Sequence, residues 1–84
     1  MTLNENELFQ TSDLSLAAAL CCFGATIEAV DHSNRSRAVF HFRREKGLDG
    51  LVQSFWAHEL EVDPLVYFNC LKEAKTRLYG RENY

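Results

Sequence analysis

Three features of this chain predict a compact α+β fold: an almost wholly apolar helix near its start, two adjoining β-type stretches in its middle, and two helix-periodic stretches after them. The order read along the sequence is β-α-β-β-α-α. A small sheet centred on a β-hairpin over residues 26–43 is expected, with three helices packed mainly on one face.

Residues 1–7 are polar and offer little besides Leu3 to bury, so they read as a flexible N-terminal tail. Residues 8–10 form a short first strand that delivers the chain into the first helix. Thr11, Ser12 and Asp13 supply side-chain oxygens for the free N–H groups of a helix start, and Gly24 takes the left-handed turn that ends one. From Leu14 to Phe23 the only polar side chain is Ser15, so this helix has almost no solvent-facing stripe. It is expected at the centre of the domain, between the sheet and the later helices, with Leu14, Leu16, Leu20 and Phe23 supplying bulk around three alanines. Its length allows a right-handed β-α-β return to a parallel strand.

The period then changes. Ala38, Phe40 and Phe42 alternate with Arg37, Val39, His41 and Arg43, which gives a strand with one aromatic and one largely cationic face. The β-branched run before it, residues 26–32, is its partner. Ile27 and Val30 fall on opposite faces in strict alternation, which a bulge or a doubly buried position would reconcile. Ser33, Asn34, Arg35 and Ser36 make a polar connection of hairpin length.

After a charged loop, Leu48, Leu51, Val52, Phe55 and Trp56 recur at helical spacing and define an amphipathic second helix. Asp63 and Pro64 then read as N-cap and first residue of a third. Tyr67, Phe68, Leu71, Ala74 and Leu78 form its inner face, and Lys72, Glu73, Lys75, Thr76 and Arg77 its outer one. Gly80 is the expected stop. Residues 8–80 thus make a single domain, with 81–84 as a C-terminal tail.

Eighty-four residues with six Phe, one Trp and three Tyr are enough for one real core but leave a small margin of stability. The formal net charge of −3 provides no global attraction to nucleic acid or an anionic membrane. The first residues carry acids where a targeting signal carries bases, and no apolar run approaches a membrane span. Cys21 and Cys22 point about 100° apart on a helix, and Cys70 would be an odd thiol, so all three are read as reduced core residues. A cytoplasmic protein without membrane contact is expected.

The segment Thr-Ser-Asp-Leu-Ser-Leu-Ala-Ala-Ala-Leu (residues 11–20), with Gly24, Phe-His-Phe (residues 40–42), Val-Asp-Pro (residues 62–64), Leu71 and Leu78, resembles a family of small bacterial and phage proteins known only as a domain of unknown function. The likeness runs from Phe9 to Leu78. Its motifs are caps, small residues in a buried helix and an aromatic strand face, so it implies one compact domain and no activity. Cys21 and Cys22 stand where such proteins more usually have ordinary apolar residues.

Charge clustering suggests one candidate site. Five of the nine Lys and Arg residues fall between Arg35 and Lys46, and a basic hairpin face made of Arg35, Arg37, His41, Arg43, Arg44 and Lys46 suits a phosphate backbone. Glu28 and Asp31 on the neighbouring strand are positioned to pair with these cations instead. A second candidate is a protein interface at Trp56, Tyr67 and Tyr79, amphipathic aromatics of the kind enriched there, while Phe55 and Phe68 are assigned to the core. Metal or cofactor binding is not expected, because His32, His41 and His58 stand apart without ligand spacing and no glycine-rich phosphate loop is present. Glu59, Glu61 and Asp63 suit the start of the third helix. The expectation is therefore a non-catalytic protein-interaction or accessory module that binds a protein partner or self-associates as a homodimer. Nucleic-acid binding by the hairpin is the alternative, and an enzyme is not expected.

Overall fold

The computed structural model describes residues 8–33 and 37–79. The two tails read from the sequence and the hairpin tip with Asn34, Arg35 and Ser36 lie outside the described residues. The element order is strand β1 (Leu8–Thr11), helix α1 (Leu14–Cys22), strands β2 (Ile27–Asp31) and β3 (Val39–Arg43), and helices α2 (Leu48–Trp56) and α3 (Pro64–Tyr79). This is the expected β-α-β-β-α-α order of an α+β fold.

The sheet is antiparallel throughout, in the order β1-β3-β2. Phe9 lies opposite Phe42 and Thr11 opposite Phe40 on one side of β3, and Ile27 lies opposite Phe42 and Val30 opposite Phe40 on the other. Strands β1 and β2 therefore share a direction, as the β-α-β reading expected. They do not pair with each other. β3 slots between them, because its alternating aromatic face needs apolar neighbours on both flanks and each outer strand supplies them.

A register shift between Ile27 and Ala29 makes Glu28 the extra residue of a bulge. That bulge resolves the conflict in the pattern of β2: both Ile27 and Val30 now face inward. The connection from β2 to β3 is longer than four residues, since the strands end at Asp31 and resume at Val39. Arg37 thus precedes β3 rather than sharing its outer face, and only His41 and Arg43 of the proposed cations project from the strand.

Helix α1 is the centre of the domain. Asp13 caps it by accepting a 3.0 Å hydrogen bond from the Leu16 N–H, and the Ser15 hydroxyl donates to the same carboxylate at 2.6 Å. Leu16, Ala17, Ala18, Ala19 and Leu20 are each 2% exposed or less. Gly24, at φ 86°, makes the left-handed exit. Phe23, expected to add bulk to the core, is instead 46% exposed, because as the C-cap it lies beyond the last helical turn.

Phe40 and Phe42 complete the core at 1% and 0% exposure, joined by Leu48 from α2 and Ala74 from α3. Burial of each phenylalanine contributes about 1.5–3 kcal/mol. Asp63 caps α3 as the sequence predicts, accepting from the Leu65 and Val66 N–H groups at 2.9 and 3.1 Å. His32 Nε2 donates to the Leu78 carbonyl at 2.7 Å, so the end of β2 satisfies one of the carbonyls left free at the end of α3.

Candidate functional site

Two cations of the expected basic hairpin, Arg43 and Arg44, are paired with acids. Arg43 lies 2.6 Å from Glu28 Oε2, an ion pair whose geometry is not that of an aligned hydrogen bond. Arg44 pairs with Asp49 of α2 and covers the Phe9 ring with its guanidinium carbon 5.8 Å from the centroid. His41 is half-buried in the middle of the open sheet face, its Nε2 without a hydrogen-bond partner among the described residues. Asp31 stands near it, held below the usual carboxylate range first by the Ser33 backbone N–H and then by the Ser33 hydroxyl, with His41 and His32 adding smaller attractions. Arg37 and Lys46 are exposed. The structure thus brings His41, Arg43 and Arg44 to neighbouring positions, each beside an acidic or aromatic partner, and leaves Arg35 outside the described residues.

The three thiols converge where α1 meets α3. All are partly buried and free. Burial pushes Cys21 up to about 11, reinforced by Cys70 and Glu73. Burial raises Cys22 to about 11 as well, helped by its hydrogen bond with Cys70. Neutral thiols of this kind are packing groups and poor nucleophiles. Among the described residues no group of three or more His, Cys, Asp or Glu is placed to hold a metal ion.

The aromatic candidates divide. Tyr67 is half-buried, its hydroxyl donating to the Ser15 carbonyl at 3.2 Å, and burial raises its pKa with help from Cys22 and Asp13. Tyr67 therefore ties α3 to α1. Trp56 and Tyr79 are 56% and 54% exposed. Trp56 stands edge-on to Phe55, with ring centroids 4.9 Å apart.

Phe68, assigned to the core from sequence, is 54% exposed and carries the Lys72 ammonium 5.3 Å from its ring centroid. The correction follows from helix geometry. Tyr67, Cys70, Leu71, Ala74 and Leu78 fill the inward side of α3, and Phe68 is turned well away from the centre of that stripe. Leu65 at 68% exposure and Val66 at 46% join it on the outside. Neither residue is among the candidates that the sequence offers. Their signal is present there: Leu65, Phe68, Lys72, Lys75 and Tyr79 repeat at alternating spacings of three and four, a second stripe on a helix that needs only one.

The class defined is a small α+β domain whose three-stranded antiparallel sheet is covered on one side by helices, with an outward apolar stripe on the last of them. The chain belongs to DUF5659, a domain of unknown function, whose family model matches residues 6–80. No curated protein and no solved structure matches it. Among the described residues no helix is long and apolar enough to cross a membrane.

Proposed function

We propose that this domain is a non-catalytic, cytoplasmic protein-interaction module that docks through the outward face of α3. One observation carries the reading: Leu65, Phe68 and Tyr79 lie along one side of a single helix and are each more than half exposed. Large apolar groups aligned on one exposed helix face are the composition of a helix-docking surface. The raised thiols of α1, neutral and partly buried, support a structural role for the cysteines rather than a catalytic one.

Photo-crosslinking in cells tests this reading. A photoreactive residue at Asn69, exposed on the outer side of α3, is expected to yield protein adducts well above those from the same residue at exposed Glu45. Equal, low yields from both positions would overturn the assignment of α3 as the docking element.

Nucleic-acid binding by the hairpin is the second reading, favoured by the exposure of Arg37 and Lys46. The pairing of Arg43 with Glu28 and of Arg44 with Asp49 weakens it, since counterion release requires cations free to meet phosphate.

A further inference from the structure

We propose that Cys22 and Cys70 are a redox-responsive pair, which a low-molecular-weight disulfide such as oxidised glutathione converts to a bond stapling α1 to α3. Both thiols are free and only partly buried. They come from two packed helices and stand within hydrogen-bond reach of each other. The Tyr67 hydroxyl, donating to the Ser15 carbonyl at 3.2 Å, holds the same two helices together nearby. Contact between sulfurs on elements already fixed against each other is what an internal disulfide requires, and partial exposure admits the small reagent.

Position selects Cys22 over Cys21. Adjacent residues on a helix point about 100° apart. Cys21 packs against the core cluster that contains Leu20 and Ala74, whereas Cys22 is the last residue of α1 and is followed by the left-handed exit at Gly24. The end of a helix shifts more readily than its middle, which lets the sulfurs close from contact to bond distance. Among the described residues the thiols are not grouped with further ligands to hold a metal ion, so oxidation is the chemistry that suits the pair.

The exchange runs in two steps. A thiolate of the pair attacks one sulfur of the small disulfide, forming a mixed disulfide and expelling one small thiolate. The second thiol then loses its proton and attacks the protein sulfur of that mixed disulfide, expelling the other small thiolate as the Cys22–Cys70 bond forms. The pair gives up two electrons and two protons, and the small disulfide takes them up as two thiols. Burial holds the Cys22 thiol up at about 11, so its thiolate is scarce near neutrality and the bond answers a sustained rise in oxidant rather than a brief one. In a reducing compartment the pair rests as thiols.

Incubation of the reduced full chain with oxidised glutathione at mildly alkaline pH, followed by alkylation in denaturant and mass spectrometry, tests the proposal. The wild type is expected to lose the mass of two hydrogens and to keep one alkylatable thiol of its three. Fragmentation between Cys21 and Cys22 is expected to place the link at Cys22 and Cys70, with a raised melting temperature that dithiothreitol reverses. Cys22→Ser and Cys70→Ser, with unchanged circular dichroism spectra, are expected to form no internal bond and to show no such rise, and Cys21→Ser to behave as the wild type. A wild type that keeps three thiols, stops at a mixed disulfide, links Cys21 to Cys70 or links one copy to another would overturn the staple, as would a bond that leaves the melting temperature unmoved. Where a serine variant fails to fold, the wild-type map decides by itself.

Discussion

Arg43 and Glu28 form an ion pair at 2.6 Å because the bulge in β2 turns Glu28 toward the open face of the sheet, where Arg43 of β3 projects. Side-chain exposures of 51% for Arg43 and 26% for Glu28 put the pair near the surface, so it contributes about 0–1 kcal/mol to stability. Its larger effect is to neutralise a cation that a phosphate backbone would need. Fluorescence anisotropy with mixed-sequence oligonucleotides is accordingly expected to show no binding by the wild type near physiological salt. Binding that weakens with salt and vanishes in Arg37→Glu/Arg43→Glu would instead establish the hairpin as a nucleic-acid surface.

Helix α1 depends on its cap. The Asp13 carboxylate is held below its usual range, first by the Ser15 hydroxyl and then by the Leu16 N–H, with burial opposing them. Asp13→Ala is expected to cost about 0.5–2 kcal/mol, and Asp13→Asn much less, since either side chain supplies the accepting oxygen. The native state is the stronger acid here. Its contribution is complete above the ordinary value of 3.8 and is lost as pH falls through the lowered one. Urea melts of the wild type should therefore lose stability as pH falls below about 4 by more than those of Asp13→Asn; equal losses would detach the cap from acid sensitivity.

Much of this fold is legible in local pattern. Asp13, Gly24, Asp63 and Pro64 announce helix ends through chemistry confined to a few neighbouring residues, and the alternation of Phe40 and Phe42 identifies the inner face of β3. Strand order is a different kind of quantity. Nothing local to Leu8 or Ile27 says that β3 lies between their strands; that follows only from the need of Phe40 and Phe42 for neighbours on both sides. Phe68 illustrates the limit for the site. Hydrophobic residue type put it inside, yet burial on a single helix is decided by angle, and Tyr67, Leu71, Ala74 and Leu78 had already occupied the inward arc.

The centre of α1 leaves no spare volume. Ala17 and Ala18 are fully buried between sheet and helices, so Ala18→Leu is expected to destabilise by about 1–3 kcal/mol through overpacking. Phe42→Ala, which opens a cavity in the same core, should cost about 3–5 kcal/mol. Thermal denaturation checks both. A neutral Ala18→Leu would mean that α1 tolerates a wider separation from its neighbours than its burial implies.

Thiol chemistry provides a separate check on the α1 and α3 contact. With Cys21 and Cys22 raised from 9.0 to about 11, their thiolate populations at pH 8 fall by about 100-fold relative to an ordinary thiol. Alkylation by iodoacetamide at that pH is expected to be slower by a comparable factor in the folded chain than in the denatured one. The native state holds these protons more tightly than the unfolded chain. Stability from the neutral thiols is therefore full below about pH 9 and declines as pH climbs toward 11. Equal alkylation rates, folded and unfolded, would place the thiols in open water.

Tyr67, Trp56 and Tyr79 are all aromatic but stand in three settings: Tyr67 bonds to α1, Trp56 ends α2 and Tyr79 is exposed near the end of α3. Tyr67→Phe removes only the hydroxyl bond to the Ser15 carbonyl, so a loss of about 0.5–1.5 kcal/mol is expected, with no change in association. Trp56→Ala forfeits the edge-on contact with Phe55 from a side chain already 56% exposed, worth about 0.5–1.5 kcal/mol. It should also leave crosslinking from Asn69 unchanged, because Trp56 ends α2 and is not part of the α3 stripe. Tyr79→Ala is expected to do the opposite, leaving the melting temperature nearly unaltered and lowering the yield of Asn69 adducts. Crosslinking and thermal melts of the three variants side by side decide the matter. Weakened association in Trp56→Ala would extend the interface onto α2, and weakened association in Tyr67→Phe would mean that the contact between α1 and α3 has to be intact before the outer face of α3 can dock.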